Sequence, residues 1–136
     1  MIIEIDDTKT IDDIQEKFND FFPFLKMEFY KHPHHWSEAS EDKEMFSNNE
    51  KIGEIRKNHL HGTLEIHSWQ KTGAVEQEFR KKFGINVQVF RHHGDLWVQT
   101  AGTDELTLAE QNEIGRKASQ DQLHGTNRKF ENEKPL

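Results

Sequence analysis

The sequence has no cysteine, only three prolines, a single tyrosine at Tyr30 and no long apolar run. Without a thiol there is no disulfide, no cysteine-held zinc or iron–sulfur site and no thiol nucleophile, so several enzyme classes drop out together. Apolar residues make up 32% of the chain and the mean hydropathy is −0.97, below the usual share for a globular domain. Positive charge is also short. The formal net charge of −7 argues against nucleic-acid and membrane partners, because both surfaces attract a basic field. No stretch reaches membrane-spanning length, and MIIEIDDTKT lacks the basic flank and apolar core of a signal peptide. The expected location is the cytoplasm.

What is present is aromatic. Ten Phe and three Trp supply the large side chains from which a 136-residue chain can build one core. These residues also fall into a pattern stated twice. Ile14, Phe18 and Phe22 align without gaps on Val75, Phe79 and Phe83 at a constant offset of 61, and Ile3-Glu4-Ile5 falls on Leu64-Glu65-Ile66 at the same offset. One deletion later, Leu25, Met27, Phe29, Lys31 and His32 fall on Ile85, Val87, Val89, Arg91 and His92 at an offset of 60. A weaker echo sets Ile52-Gly53-Glu54 against Leu108-Ala109-Glu110.

Each piece has local support. Thr10 caps a helix carrying Asp12 and Asp13 in its first turn, Ile11, Ile14, Phe18 and Phe22 form its apolar stripe, and Pro23 stops it. In the second copy Thr72 is the expected cap, Arg80, Lys81 and Lys82 sit at the negative end of the dipole, and Gly84 suits a left-handed cap. Leu25-Met27-Phe29 and Ile85-Val87-Val89 alternate as half-buried strands, and His92-His93-Gly94-Asp95 reads as a hairpin turn before a strand from Leu96 to Thr100.

Two strand–helix–strand units predict an α+β fold, a ferredoxin-like two-layer sandwich with an extra C-terminal strand and short helix. The expected domain spans residues 1–115, with repeats at about 1–58 and 62–115, and residues 116–136 read as a polar, disordered tail. The joining segment, residues 33–61, is polar and predicts a short helix near Ile52 to Lys57. The run from Val75 through GINVQVFRHHGDLWVQT to TLAEQN resembles a small family of uncharacterised bacterial proteins of the Bacteroidetes type. That resemblance implies a duplicated α/β unit, no established activity and no residue roles to carry over.

Nine histidines, His32, His34, His35, His59, His61, His67, His92, His93 and His124, raise a metal-binding reading, the alternative function. None of their spacings is HExxH or a finger pattern, so no metal ligand, cofactor or catalytic residue is assigned. No GxSxG, phosphate-binding loop or GxGxxG is present, and the chain reads as a non-enzyme. The sharper expectation concerns the helix-free face of the sheet. Alternation sends Glu28, Tyr30, Glu65, His67, Gln88, Phe90, Trp97 and Gln99 outward, and Tyr30, His67, Phe90 and Trp97 are the candidate surface for a protein partner or a second copy. The joining segment, with Trp36, Met45 and Phe46, or the tail would be the alternative cover for that face. RNA stacking needs a basic RNP pattern that INVQVF lacks.

Overall fold

Local chemistry fixes where each helix begins and ends. In the computed structural model, which describes residues 1–33, 41–123 and 134–135, strand β1 (Ile2–Ile5) leads to helix α1 (Ile11–Phe21) and strand β2 (Leu25–Tyr30). Thr10 opens α1 with a full capping box: its hydroxyl accepts from Asp13 N at 3.2 Å while its own N–H donates to the Asp13 carboxylate at 2.9 Å. The second half repeats the order with β3 (Gly62–Glu65), α2 (Thr72–Phe83) and β4 (Asn86–His93). Gly84 ends α2 at φ 67°, a left-handed conformation that glycine adopts without penalty. Thr72 is not the cap, however. Lys71 holds that position, matching Thr10 at the offset of 61, and the Thr72 hydroxyl instead donates to Leu106 O at 2.8 Å.

Beyond β4 the chain turns through Gly94, at φ 60°, and Asp95 into β5 (Leu96–Gln99). His92 and His93 belong to the strand and pair with Trp97 and Leu96, so the turn is two residues shorter than composition implied. The last helix, α3 (Leu108–Leu123), starts at a second capping box between Thr107 and Glu110, and β6 (Lys134–Pro135) pairs with β5. The expected tail is therefore helical from Arg116 to Leu123. Residues 124–133 and 136 lie outside the described residues. Where a short helix was expected in the joining segment, near Ile52, there is a 3-10 turn, Ile52–Glu54, and another at Asp42–Glu44 precedes it.

The fold is mixed α+β, but its strands do not form the single sheet of a ferredoxin-like sandwich. β1 pairs antiparallel with β3, and a separate antiparallel sheet runs β2-β4-β5-β6. Like strands pair with like. Ile3 lies opposite Leu64, and Met27 and Phe29 lie opposite Val89 and Val87. This register points the apolar rows of both ladders into one core with Phe18, Phe22, Phe79 and Phe83 from the helices.

Backbone hydrogen bonds recur between the two halves. Ile11 N donates to Glu50 O as Thr72 N does to Leu106 O, and Asp12 N to Asn48 O as Gly73 N does to Asp104 O. Ile52 N donates to Lys9 O as Leu108 N does to Gln70 O, and Gly53 N to Asp7 O as Ala109 N does to Ser68 O. Each strand pair is also centred on matching residues, Ile3 with Leu64 and Glu28 with Gln88. The strand registers and these backbone bonds are thus alike in the two halves.

Candidate functional site

The face expected to be open is closed. Tyr30 is 2% exposed and Phe90 is fully buried, while Trp97 is half-buried. Two features border these residues. Along the free edge of β2, Lys31 N donates to Glu44 O, Phe46 N donates to Phe29 O, and Tyr30 bridges Met45, so part of the joining segment behaves as an added strand. Across the face, the Lys26 ammonium lies 5.6 Å from the Phe90 ring centre and 5.1 Å from that of Trp97, a cation–π arrangement that seats the Lys26 stem beside both rings. Phe46 packs on the main core, and Trp36 lies outside the described residues. Among the described residues the Tyr30 hydroxyl has no hydrogen-bond partner, and burial, with Glu28 nearby, pushes the phenol above its ordinary range.

His67 is on a different surface from the other three. It follows β3, and on the outer side of the β1–β3 ladder it joins residues that the sequence pattern did not single out. Its ring stacks on Trp69 with centroids 5.1 Å apart and planes 12° from parallel, and its Nε2 lies 3.4 Å from the Glu65 carboxylate. The His67–Gln70 turn holds this stack, since His67 N donates to the Gln70 side chain at 2.7 Å and Gln70 N to His67 O at 3.1 Å. Trp69 is 69% exposed, and Ile2, directly opposite Glu65 in the ladder, is 53% exposed. The Met1 and Ile66 backbones exchange both their hydrogen bonds. By antiparallel alternation the next pair, Ile2 and Glu65, turns its N–H and C=O groups outward to the ladder's edges. The missed signal was a tryptophan within a polar loop, HSWQKT.

Among the described residues the histidines meet separate partners, except that His59 and His61 share Asp7. His32 meets Glu44 at 3.1 Å, His59 and His61 lie 2.7 and 3.9 Å from Asp7, and His92 meets Ser119 at 2.7 Å. Asp7 is claimed mainly by Arg56, whose hydrogen bond at 2.8 Å, followed by that from His59, holds the carboxyl below its ordinary range. Burial lowers His92, whose ring meets Trp97 edge-on. Among the described residues no group of three or more His, Asp or Glu is placed to hold a metal ion. His34, His35 and His124 lie outside them.

Sequence reasoning also missed a buried polar cluster beneath the start of α3. Glu76, Arg91, Asp104 and Gln111 are all at most 6% exposed. Arg91 Nη1 donates to Gln111 Oε1, and Gln111 Nε2 donates to Thr103 O at 2.8 Å. Glu76 accepts from Val89 N at 2.8 Å, filling the place β5 vacates where the chain leaves the sheet at Thr100. Burial first, then the neighbouring Asp104, pushes the Glu76 carboxyl well above its ordinary range, and burial pushes Arg91 down to about 10. With these side chains out of solvent, the cluster ties α3 to the sheet and presents no reacting group to a ligand. Among the described residues no helix is long and apolar enough to cross a membrane. No family model, curated protein or solved structure matches this chain.

Proposed function

We propose that the chain is an internally duplicated, non-enzymatic interaction module of the cytoplasm that binds a protein partner through the outer face of its β1–β3 ladder. The recurring backbone bonds and centred strand pairs support the duplication. The observation that carries the binding surface is Trp69, held by its stack on His67 yet 69% exposed, with Ile2, opposite Glu65 in the same ladder, also exposed. A large ring fixed in place loses little entropy on binding and contributes much contact area. Glu4 and Glu65 add negative charge to the same ladder, and its strand edges offer backbone groups, so the fitting partner is an extended, basic segment with an apolar side chain for Trp69. The buried Tyr30 and Phe90 have no place in this reading.

Affinity capture with the full chain as bait tests it, using Trp69→Ala beside Leu96→Ser, a control that removes a different exposed apolar side chain. The expected outcome is a basic partner retained by wild type and by Leu96→Ser and lost with Trp69→Ala. Equal capture by all three baits removes the surface.

A further inference from the structure

The solvent stripes of the two central helices carry complementary chemistry at matching positions. On α1, Asp13, Lys17 and Phe21 stand one turn apart and all are exposed, Phe21 by 52%. The matching residues of α2, at the offset of 61, are Ala74, Glu78 and Lys82. The outer two positions read acid and aromatic on one helix, small and basic on the other, and the central charge is reversed. An open depression lined by Met1, Asp13, Glu16, Lys17, Asp20 and Phe21 follows the α1 stripe. Among the described residues Lys17 and Glu78 make no ion pair within the chain, and one chain's two stripes do not bring them together.

We propose that this chain forms a two-fold homodimer in which α1 of each copy lies antiparallel along α2 of the other. In that register Asp13 faces the second copy's Lys82, Lys17 faces its Glu78, and Phe21 lies on its Ala74. A parallel alignment would instead set Asp13 on Ala74 and Phe21 on Lys82, so only the antiparallel one satisfies all three positions. It also opposes the two helix dipoles, bringing the acidic start of α1 to the basic end of α2. A two-fold axis makes the contact twice, doubling whatever each stripe contributes. Asp13 already caps α1 and the Lys82 ammonium already donates to Thr63 O at 3.0 Å, but a carboxylate and an ammonium each have capacity for a further partner. The occupant is a second copy because complementarity lies within one sequence, position by position. The inference goes beyond the Trp69 surface and uses a different face.

Sedimentation velocity of the full chain over a range of concentrations tests it. Dimerisation should be visible at low salt and weaken as salt rises. Lys17→Glu and Glu78→Lys should each raise the dissociation constant about tenfold, since each creates two like-charge contacts. The double variant Lys17→Glu/Glu78→Lys should return to about the wild-type value, and Trp69→Ala should leave it unchanged. A wild-type chain that stays monomeric at every concentration, a double variant no tighter than the singles, or loss of the dimer on Trp69→Ala each overturns the proposal.

Discussion

At Gln15, Lys31, Asn48 and Ile55 the first half of the molecule is exposed or half-buried, whereas at the matching positions the second half buries Glu76, Arg91, Asp104 and Gln111. Four backbone hydrogen bonds near these positions recur in both halves, but Ile55 N donates to Ile52 O whereas Gln111 N donates to Thr107 O. The described chain paths differ again further on. After Lys51 the chain makes one 3-10 turn and leaves for β3, while after Thr107 the corresponding segment runs on as the sixteen-residue α3. A shared frame thus yields a wet surface in one half and a dry polar cluster in the other, and the length of the closing helix decides which. The contact is close. A Cβ added at Gly115 of α3 would sit 2.9 Å from Phe24 Cβ and 3.1 Å from Arg91 Cγ, so only glycine lets this helix settle there.

The largest break in the comparison comes from Arg91 and its counterpart. Arg91→Met should cost about 3 kcal/mol in urea unfolding, because it strands the Gln111 carbonyl and removes a positive charge from among buried acids. Lys31→Met, at the exposed counterpart, should change stability by less than about 0.5 kcal/mol. Equal losses would mean that α3 does not distinguish the halves.

The two halves were also unequally legible. Ile11, Ile14, Phe18 and Phe22 announced α1 because their spacing and the Thr10 cap are local signals, and Gly84 announced the end of α2 for the same reason. The buried stripe of α3 is Leu108, Gln111, Gly115 and Ala118, a helical spacing whose two middle residues a hydrophobic pattern does not register. Only the T-x-x-E capping box at Thr107 marked its start. Alternation correctly set Tyr30 and Phe90 apart from the core row of Met27 and Val89. It carried no information on the edge beside them, because residues 44–46 arrive from elsewhere in the chain. The sheet split has the same origin: strand content is local, while the choice of neighbour is a property of the whole core. For the candidate surface, His67 was legible by alternation, but its partner Trp69 sat in a loop where no periodicity applies.

A second test makes the second half resemble the first. Glu76→Gln installs the amide that Gln15 already provides, where its Nε2 donates to Met27 O at 2.7 Å. The Glu76 carboxyl is raised above 4.5 in the folded state by burial and by Asp104, against the opposing hydrogen bond from Val89 N. The native state therefore keeps a proton that the unfolded chain releases. Its stabilising contribution is full below about pH 4.5 and is lost as pH rises through the folded value, at no more than about 1.4 kcal/mol per pH unit. Urea midpoints measured from about pH 5 to about pH 8 should fall for wild type and stay flatter for Glu76→Gln, whose amide oxygen still accepts from Val89 N. Parallel profiles would place the proton elsewhere.

The smallest expected effect sharpens the comparison at the helix starts. Thr10 closes a capping box with Asp13, whereas Lys71 provides no side-chain cap and Ala74 stands where the first half has Asp13. The Lys71 backbone is already extended, at φ −67° and ψ 140°, so a threonine there can turn its hydroxyl toward Ala74 N without strain. Lys71→Thr gives up the ion pair of the Lys71 ammonium with Glu105 at 2.7 Å, but both side chains are more than half exposed and such a pair contributes little. The cap is worth about 1 kcal/mol, leaving a net gain of about 0.5 kcal/mol in urea unfolding. Thr10→Ala should lose about 1 kcal/mol in the same assay. If Thr10→Ala costs that much while Lys71→Thr gains nothing, the start of α2 is held instead by the Thr72 bonds to Leu106, and the halves match in backbone path but not in what secures it.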